Sequence, residues 1–177
     1  MTKRFAGFLV LLILAMLAGT VAAEEGALQT YSDAGNKFAL KYPATWEVHE
    51  NASGAGVIIL SPLENQDDHF SENINVMVQD LSPQPMTIEE YTELSTDQIA
   101  QVLTDGKVIE AKPVTLAGHD GYQLIYAGKQ GDFSLKWMCR YAIVDNRVYL
   151  VTYTAEEDKF DVYLKDMEQI FASFTLL

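Results

Sequence analysis

The residues with the clearest potential for chemistry lie in one short acidic segment. Glu64, Asp67, Asp68, His69 and Glu72 fall between positions 64 and 72. Calcium prefers six to eight oxygen ligands, and zinc accepts histidine nitrogen together with carboxylate oxygen. The ordered spacing of an EF-hand is missing, and the segment has no glycine to turn it. The default interpretation is a solvated acidic loop between strands, and the alternative is a calcium or zinc site built from these five residues.

A second candidate places a histidine beside a carboxylate, in Gly118-His119-Asp120-Gly121. These are the ingredients of a general base. Adjacent residues in a tight turn seldom orient one another for proton transfer, however, and no serine or cysteine lies in a recognisable nucleophile elbow. We interpret the segment as a turn that reverses a strand. We therefore expect no catalytic residue and no cofactor, and the chain is predicted not to be an enzyme.

Cys139 is the single cysteine, so the chain has neither an intramolecular disulfide nor a thiolate metal site. It lies in a run in which every second residue, from Phe133 to Ile143, is apolar. This alternation is typical of a strand with one buried face. We expect Cys139 to be a small buried side chain and not a reactive thiol.

The first 23 residues predict an export signal. Lys3 and Arg4 form a basic start, Phe5 to Ala18 is apolar, and small residues at 21–23 suit a signal peptidase. The apolar run is shorter than the roughly 20 residues that cross a bilayer as a helix. Thr20 stands where a bacterial lipoprotein has its lipidated cysteine, so we expect no lipid anchor. The prediction is a cleaved signal at 1–23 and one exported domain at 24–177, either periplasmic or secreted.

The charge of the chain limits its partners. The formal net charge is −13 at pH 7, and removal of residues 1–23 takes away Lys3 and Arg4 but no acid. A strongly negative protein repels nucleic acid and anionic lipid headgroups. We expect no nucleic-acid partner and a soluble monomer.

The pattern of apolar residues and turns predicts an α+β domain. Asp33 to Asn36 marks a turn between two strands, and short glycine-containing turns link the later strands as antiparallel neighbours. The expected strands cover 28–31, 37–42, 57–63, 73–81, 107–116, 122–127, 133–144 and 147–152. Thr87 and Glu90 predict a capping box that starts a helix, with Gly106 near its end.

The chain is predicted to end in a second helix. Thr154 and Glu157 have capping-box spacing, and apolar residues then recur at intervals of four and three from Phe160 to Phe174. Two amphipathic helices and doubly apolar strands favour a mostly antiparallel sheet of about six to eight strands with helices on both faces.

Two motifs carry a family resemblance. The opening Tyr31-Ser32-Asp33, Gly35, Phe38, Tyr42-Pro43 and Trp46 resembles that of the PsbP family. The closing run 149–154 before an acidic helix start, and Phe171-Ala172-Ser173-Phe174 at the end, are similar too. The resemblance covers roughly 28–177 and implies an α/β/α sandwich. We expect neither the lipid-anchoring cysteine of cyanobacterial members nor the basic N-terminal extension of plant members.

The resemblance also implies a function. PsbP-like domains serve on the lumenal side of photosystem II as non-enzymatic assembly subunits, DcrB-like bacterial relatives are exported, and a eukaryotic branch binds the Ran GTPase. We therefore expect a non-enzymatic exported binding or assembly module that engages a protein partner at or near the outer face of a membrane. The alternative is an extracytoplasmic protein that binds a small ligand or a divalent metal.

Overall fold

The computed structural model describes residues 27–51 and 55–177. The predicted signal at 1–23 and the predicted start of the mature domain at 24 lie outside the described residues. Within them, no helix is both long enough and apolar enough to cross a membrane.

Seven antiparallel strands form the large sheet, in the order β3-β4-β5-β9-β8-β7-β6. They are β3 (Glu47–Glu50), β4 (Val57–Leu60), β5 (Asn73–Asp80), β6 (Thr104–Leu116), β7 (His119–Gln130), β8 (Phe133–Val144) and β9 (Arg147–Glu156). A three-stranded sheet has the order β1-β2-β10, with β1 (Leu28–Asp33), β2 (Phe38–Pro43) and β10 (Thr175–Leu176). The α+β prediction, with six to eight strands in the main sheet, is confirmed.

The two faces of the large sheet build two separate hydrophobic cores. Successive side chains of a strand point to opposite faces. Met138 and Val151 accordingly belong to one core, while their neighbours Cys139 and Leu150 belong to the other. Helix α1 (Ile88–Val102) contributes Tyr91 to the second core, and helix α2 (Leu164–Ser173) contributes to the first. The prediction of helices on both sheet faces is thus confirmed.

Helix α1 begins at the predicted capping box. The Thr87 hydroxyl accepts a hydrogen bond from the Glu90 amide at 3.2 Å, and the Glu90 carboxylate accepts one from the Thr87 amide at 2.8 Å. These bonds satisfy two backbone donors at the helix start. The helix ends with its C-cap at Leu103. Gly106, the predicted end, already lies in β6, where a Cβ would come within 2.6 Å of the Ile99 carbonyl oxygen.

The start of the second helix differs from the prediction. Thr154 belongs to β9, where it pairs with Asn73 on one side and Trp137 on the other, so Thr154 and Glu157 form no capping box. Helix α2 begins only after Tyr163, which makes no side-chain capping bond. Backbone hydrogen bonds to β5 and β8 extend β9 to Glu156, past its predicted end at 152. The apolar stripe is still buried, and it includes Met167 and Phe171.

The small sheet holds α2 against the first core. Its first turn is closed by Asp33, whose carboxylate accepts hydrogen bonds from the backbone amide (2.8 Å) and side-chain amide (2.7 Å) of Asn36. Phe38 on β2 then stacks on Phe174, with ring centroids 5.6 Å apart. The chain end therefore returns to the strand pair with which the described residues begin.

Strand β6 forms one edge of the large sheet and pairs only with β7 among the described strands. Its register shifts twice, between Thr104 and Lys107 and between Val108 and Glu110. Pro113, in its regular part, has no N–H to donate. Bulges, lysines and proline are features that discourage the pairing of an edge with another strand.

Candidate functional site

The candidate metal-binding segment is a loop between β4 and β5, which we call the 62–71 loop. A backbone hydrogen bond of 2.7 Å from the Ser61 amide to the Glu72 carbonyl closes it at its base. Glu64, Asp67 and His69 are exposed and Asp68 is half-buried. Glu72, directly after the loop, is buried with 2% of its surface exposed. The five candidate ligands thus occupy three different environments, exposed, half-buried and buried.

Asp68 shapes the loop from inside. One of its carboxylate oxygens accepts a hydrogen bond from the Glu64 amide at 2.8 Å, and the other accepts one from the Phe70 amide at 3.0 Å. In residues 27–51 and 55–177, no three His, Cys, Asp or Glu side chains are placed to hold a metal ion. Metal binding by the loop stays a prediction for experiment.

The loop is fixed to the segment that connects β9 to α2, which we call the 157–163 segment. Glu64 forms an ion pair with Lys159 and accepts a hydrogen bond of 3.3 Å from the Tyr163 hydroxyl. The Tyr163 ring packs edge-on against Trp46, with centroids 5.9 Å apart. Burial, together with the charges of Glu72 and Glu64, raises the pKa of Tyr163 to about 12. Glu64 therefore links the loop to an aromatic pair at the edge of the first core.

Glu72 lies near this contact, directly before β5 and on the side of the chain that faces the first core. Positions 72, 74 and 76 are spaced by two, so in an extended chain Glu72 faces the same side as Ile74 and Val76, which are both fully buried. Its carboxylate accepts a hydrogen bond of 3.4 Å from the Ser61 hydroxyl. Burial, together with the nearby charges of Asp68, Glu64 and Glu156, raises the pKa of Glu72 to about 6, against a hydrogen bond from its own backbone that lowers it. A buried carboxyl group with a raised pKa is thus built into this end of the molecule.

An open cleft of about 490 Å³ adjoins the same end. The tip of the β7–β8 hairpin forms one wall and the end of β9 with the following turn forms the other; the lining residues are Asp132, Phe133, Ser134, Glu156, Glu157 and Asp158. The Phe133 ring packs against Phe70 of the loop, with centroids 5.2 Å apart. The cleft therefore joins an aromatic wall to a cluster of carboxylates.

The loop, Glu72, the end of β9 and the 157–163 segment together form a surface that we call the acidic end, covering 62–72 and 156–163. These ranges contain eight carboxylates and one lysine, so their combined charge is strongly negative. Two large apolar side chains are nevertheless exposed there, Leu63 at 40% and Val162 at 62%. Each is next in sequence to a residue of the contact between Glu64 and Tyr163. The arrangement can bind a cationic group, or a partner that covers Leu63 and Val162.

The predicted turn at 118–121 is shorter than expected. His119 and Asp120 are exposed but already lie in β7, where they pair with Leu116 and Thr115, after a turn in which Gly118 has a φ of +82°. Cys139 is buried on β8, and burial raises the pKa of its thiol to about 12. Because the thiolate is the reactive form, this thiol is inert at neutral pH.

Comparison with known proteins identifies the family. A model of the PsbP family matches residues 26–176. The chain belongs to the PsbP family. None of the curated proteins compared with this PsbP family member matches it.

Solved structures show how widely this PsbP-like fold is shared. The solution structure of cyanobacterial PsbP (CyanoP) from Synechocystis is 20% identical with a TM-score of 0.64, and the match covers 91% of this chain and 99% of that one. LpqN of Mycobacterium tuberculosis, described as involved in cell envelope biogenesis, is 12% identical over 85% and 90%, with a TM-score of 0.64. The Ran-binding protein Mog1p of Saccharomyces cerevisiae is 6% identical over 85% and 95%, with a TM-score of 0.59. At these identities the likeness concerns the fold.

Two features of the site escaped the sequence-based interpretation. Acidic composition groups Glu72 with the solvated loop, although its position two residues before Ile74, just ahead of an alternating strand, predicts a side chain on the core side. This spacing of two residues is visible in the sequence and indicates that Glu72 is buried. The contact between Glu64 and Lys159 joins residues 95 positions apart, and no local pattern indicates such a pair.

Proposed function

We propose that the protein is an exported, non-enzymatic binding or assembly module that engages a protein partner at the outer face of a membrane or in the cell envelope. Membership of the PsbP family supports this proposal. Two proteins of similar fold favour it as well, since one is described as involved in cell envelope biogenesis and another as Ran-binding. The same function would explain a chain whose His119 and Asp120 are exposed on a strand and whose thiol is inert.

The observation that carries the proposal is the exposure of Leu63 and Val162 within the acidic end. Exposed apolar side chains with a polar rim are typical of protein-binding surfaces. Eight carboxylates and one lysine surround these two residues in sequence. A partner surface that carries lysine or arginine around an apolar centre is complementary to this arrangement, and attraction between the charges would speed the encounter.

The test is capture of partners from detergent-solubilised membranes of the host by the immobilised protein. We expect capture by the wild type, loss of capture by Val162→Arg, and retention by Ile109→Arg. Ile109 is the matched control because it is also a large exposed aliphatic residue, at 51%, but lies on β6. Equal capture by both variants, or no capture by the wild type, would contradict the proposal.

The cleft favours a second candidate, an extracytoplasmic protein that binds a small cationic ligand. Carboxylates and an aromatic ring are the groups that recognise amines. Isothermal titration with spermidine, compared with Glu157→Gln, distinguishes the two candidates. Spermidine binding that Glu157→Gln weakens, in a protein that captures no partner, would favour this second function.

A further inference from the structure

We propose that Glu72 makes the acidic end sensitive to pH: the 62–71 loop is held firmly when Glu72 carries a proton, and loosens when the proton is lost. The surface that contains Leu63 would then be better ordered, and bind its partner more tightly, in mild acid than at neutral pH. The effect on binding rests on the proposed function, whereas the effect on the loop does not.

The position of Glu72 is the first argument. Glu72 directly precedes β5, and its buried side chain lies at the base of the 62–71 loop, where the Ser61 amide donates to the Glu72 carbonyl. A carboxylate in such a place has little access to water; it accepts a hydrogen bond from its own backbone and a second one, long at 3.4 Å, from the Ser61 hydroxyl. Burial of a charge without strong compensation is costly, and a proton removes that cost.

The groups that face Glu72 supply the second argument. They come from the loop, from β9 and from the 157–163 segment, and they are Glu64, Asp68, Tyr153, Glu156, Lys159 and Tyr163. Three of these are carboxylates, and the single cation, Lys159, already pairs with Glu64. An ionised Glu72 is therefore repelled by Glu64 and Asp68 of the loop and by Glu156 at the end of β9. Its ionisation acts directly on the contact between the loop and the rest of the molecule.

The sign of the effect follows from the raised pKa. Glu72 titrates near 6 in the folded protein and near 4.5 when exposed. Between these values the closed loop keeps a proton that the open loop releases, so closure weakens as the pH rises through this window. The difference of about 1.5 in pKa corresponds to a change of up to about 30-fold in the equilibrium between closed and open loop. Below pH 4.5 and above pH 6 this contribution becomes constant.

The experiment compares the wild type with Glu72→Gln and with Asp67→Asn by NMR between pH 4.5 and 7.5. Asp67 is the matched control because its side chain is an exposed carboxylate in the same loop. Side-chain carboxyl carbon shifts give the titration of Glu72, and backbone amide signals of 62–71 report loop order. We expect the loop signals to broaden with a midpoint near pH 6 in the wild type and in Asp67→Asn, and to stay sharp in Glu72→Gln.

The outcomes separate this inference from the proposed function. A wild-type Glu72 that titrates below pH 5 would overturn the inference even if Glu72→Gln failed to fold. Loop signals that change equally in all three proteins would overturn it as well. Capture of a membrane partner that depends on Val162 but not on pH would overturn the pH control of binding and leave the binding function intact. A loop that responds to pH in a protein that captures nothing would refute the binding function instead.

Discussion

Replacement of Phe171 by alanine tests how much of the fold depends on α2. Phe171 is 3% exposed and belongs to the first core. Truncation of a buried phenylalanine to alanine costs roughly 3–5 kcal/mol, because apolar contacts are lost and a cavity remains. The Arg140 guanidinium lies 4.6 Å from the centre of this ring. The lost cation–π contact, worth about 0.5–1 kcal/mol, is already included in the truncation cost given above. Arg140 keeps its hydrogen bonds to Glu168 (2.7 Å) and Gln123 (2.7 Å), so no unpaired charge is added.

The free energy of unfolding is measured by urea titration with far-ultraviolet circular dichroism. A domain of this size typically has 5–15 kcal/mol in total, so we expect a clear fall in the urea midpoint and a loss of roughly 6–20 °C in Tm. Gln169→Ala, on the exposed side of α2, is the control and should stay within about 0.5 kcal/mol of the wild type. Phe171→Asp should prevent folding altogether. A Phe171→Ala protein within 1 kcal/mol of the wild type would refute the docking of α2 described above.

Three further changes test other parts of the structure. Gly121→Ala should destabilise by at least about 2 kcal/mol in the same urea titration, because the new Cβ would come within 2.2 Å of the Tyr141 carbonyl oxygen. Gly118→Ala measures the cost of backbone strain alone, since Gly118 has open space around it but a φ of +82°, and an equal or smaller loss at Gly121 would contradict the close packing. Thr87→Ala should cost about 1 kcal/mol through loss of the α1 cap, while Thr87→Ser should restore most of it, and equal stability of all three proteins would show that the cap contributes nothing. Calcium or zinc at millimolar concentration should leave the Tm unchanged if the 62–71 loop is a solvated loop, whereas a rise abolished by Asp67→Asn would support the metal site.

The elements that depend on short-range patterns could be predicted from the sequence. Alternation in β8, the turn at Asp33 and the Thr87 capping box each involve residues only a few positions apart, and each was located correctly. The failures came where longer-range pairing decided the outcome. Thr154 has the spacing of a helix cap, but pairing with β5 and β8 keeps it in a strand. β3 and β10 contain only four and two residues, too few for a periodic signal, and exist because β4 and β2 are there to pair with them.

The environment of the candidate site is less visible in the sequence than the fold is. The acidic composition of positions 64–72 is obvious in the sequence, but composition does not separate Glu72, inside the protein, from Asp67, at its surface. The environment of Glu72 depends on Tyr153 and Tyr163, which follow it by more than 80 positions. Electrostatic coupling of this kind becomes visible only once the strands are arranged in space.

The irregular course of β6 affects whether copies of the protein can associate through the edges of their sheets. A straight, unprotected outer strand can serve as a template on which a neighbouring copy adds its own strand, and such growth leads to fibrils. In this protein the two register shifts make the β6 edge irregular, and Pro113 has no N–H group to donate to an added strand. Growth of the sheet from molecule to molecule is therefore disfavoured on this side even where the protein accumulates to high concentration.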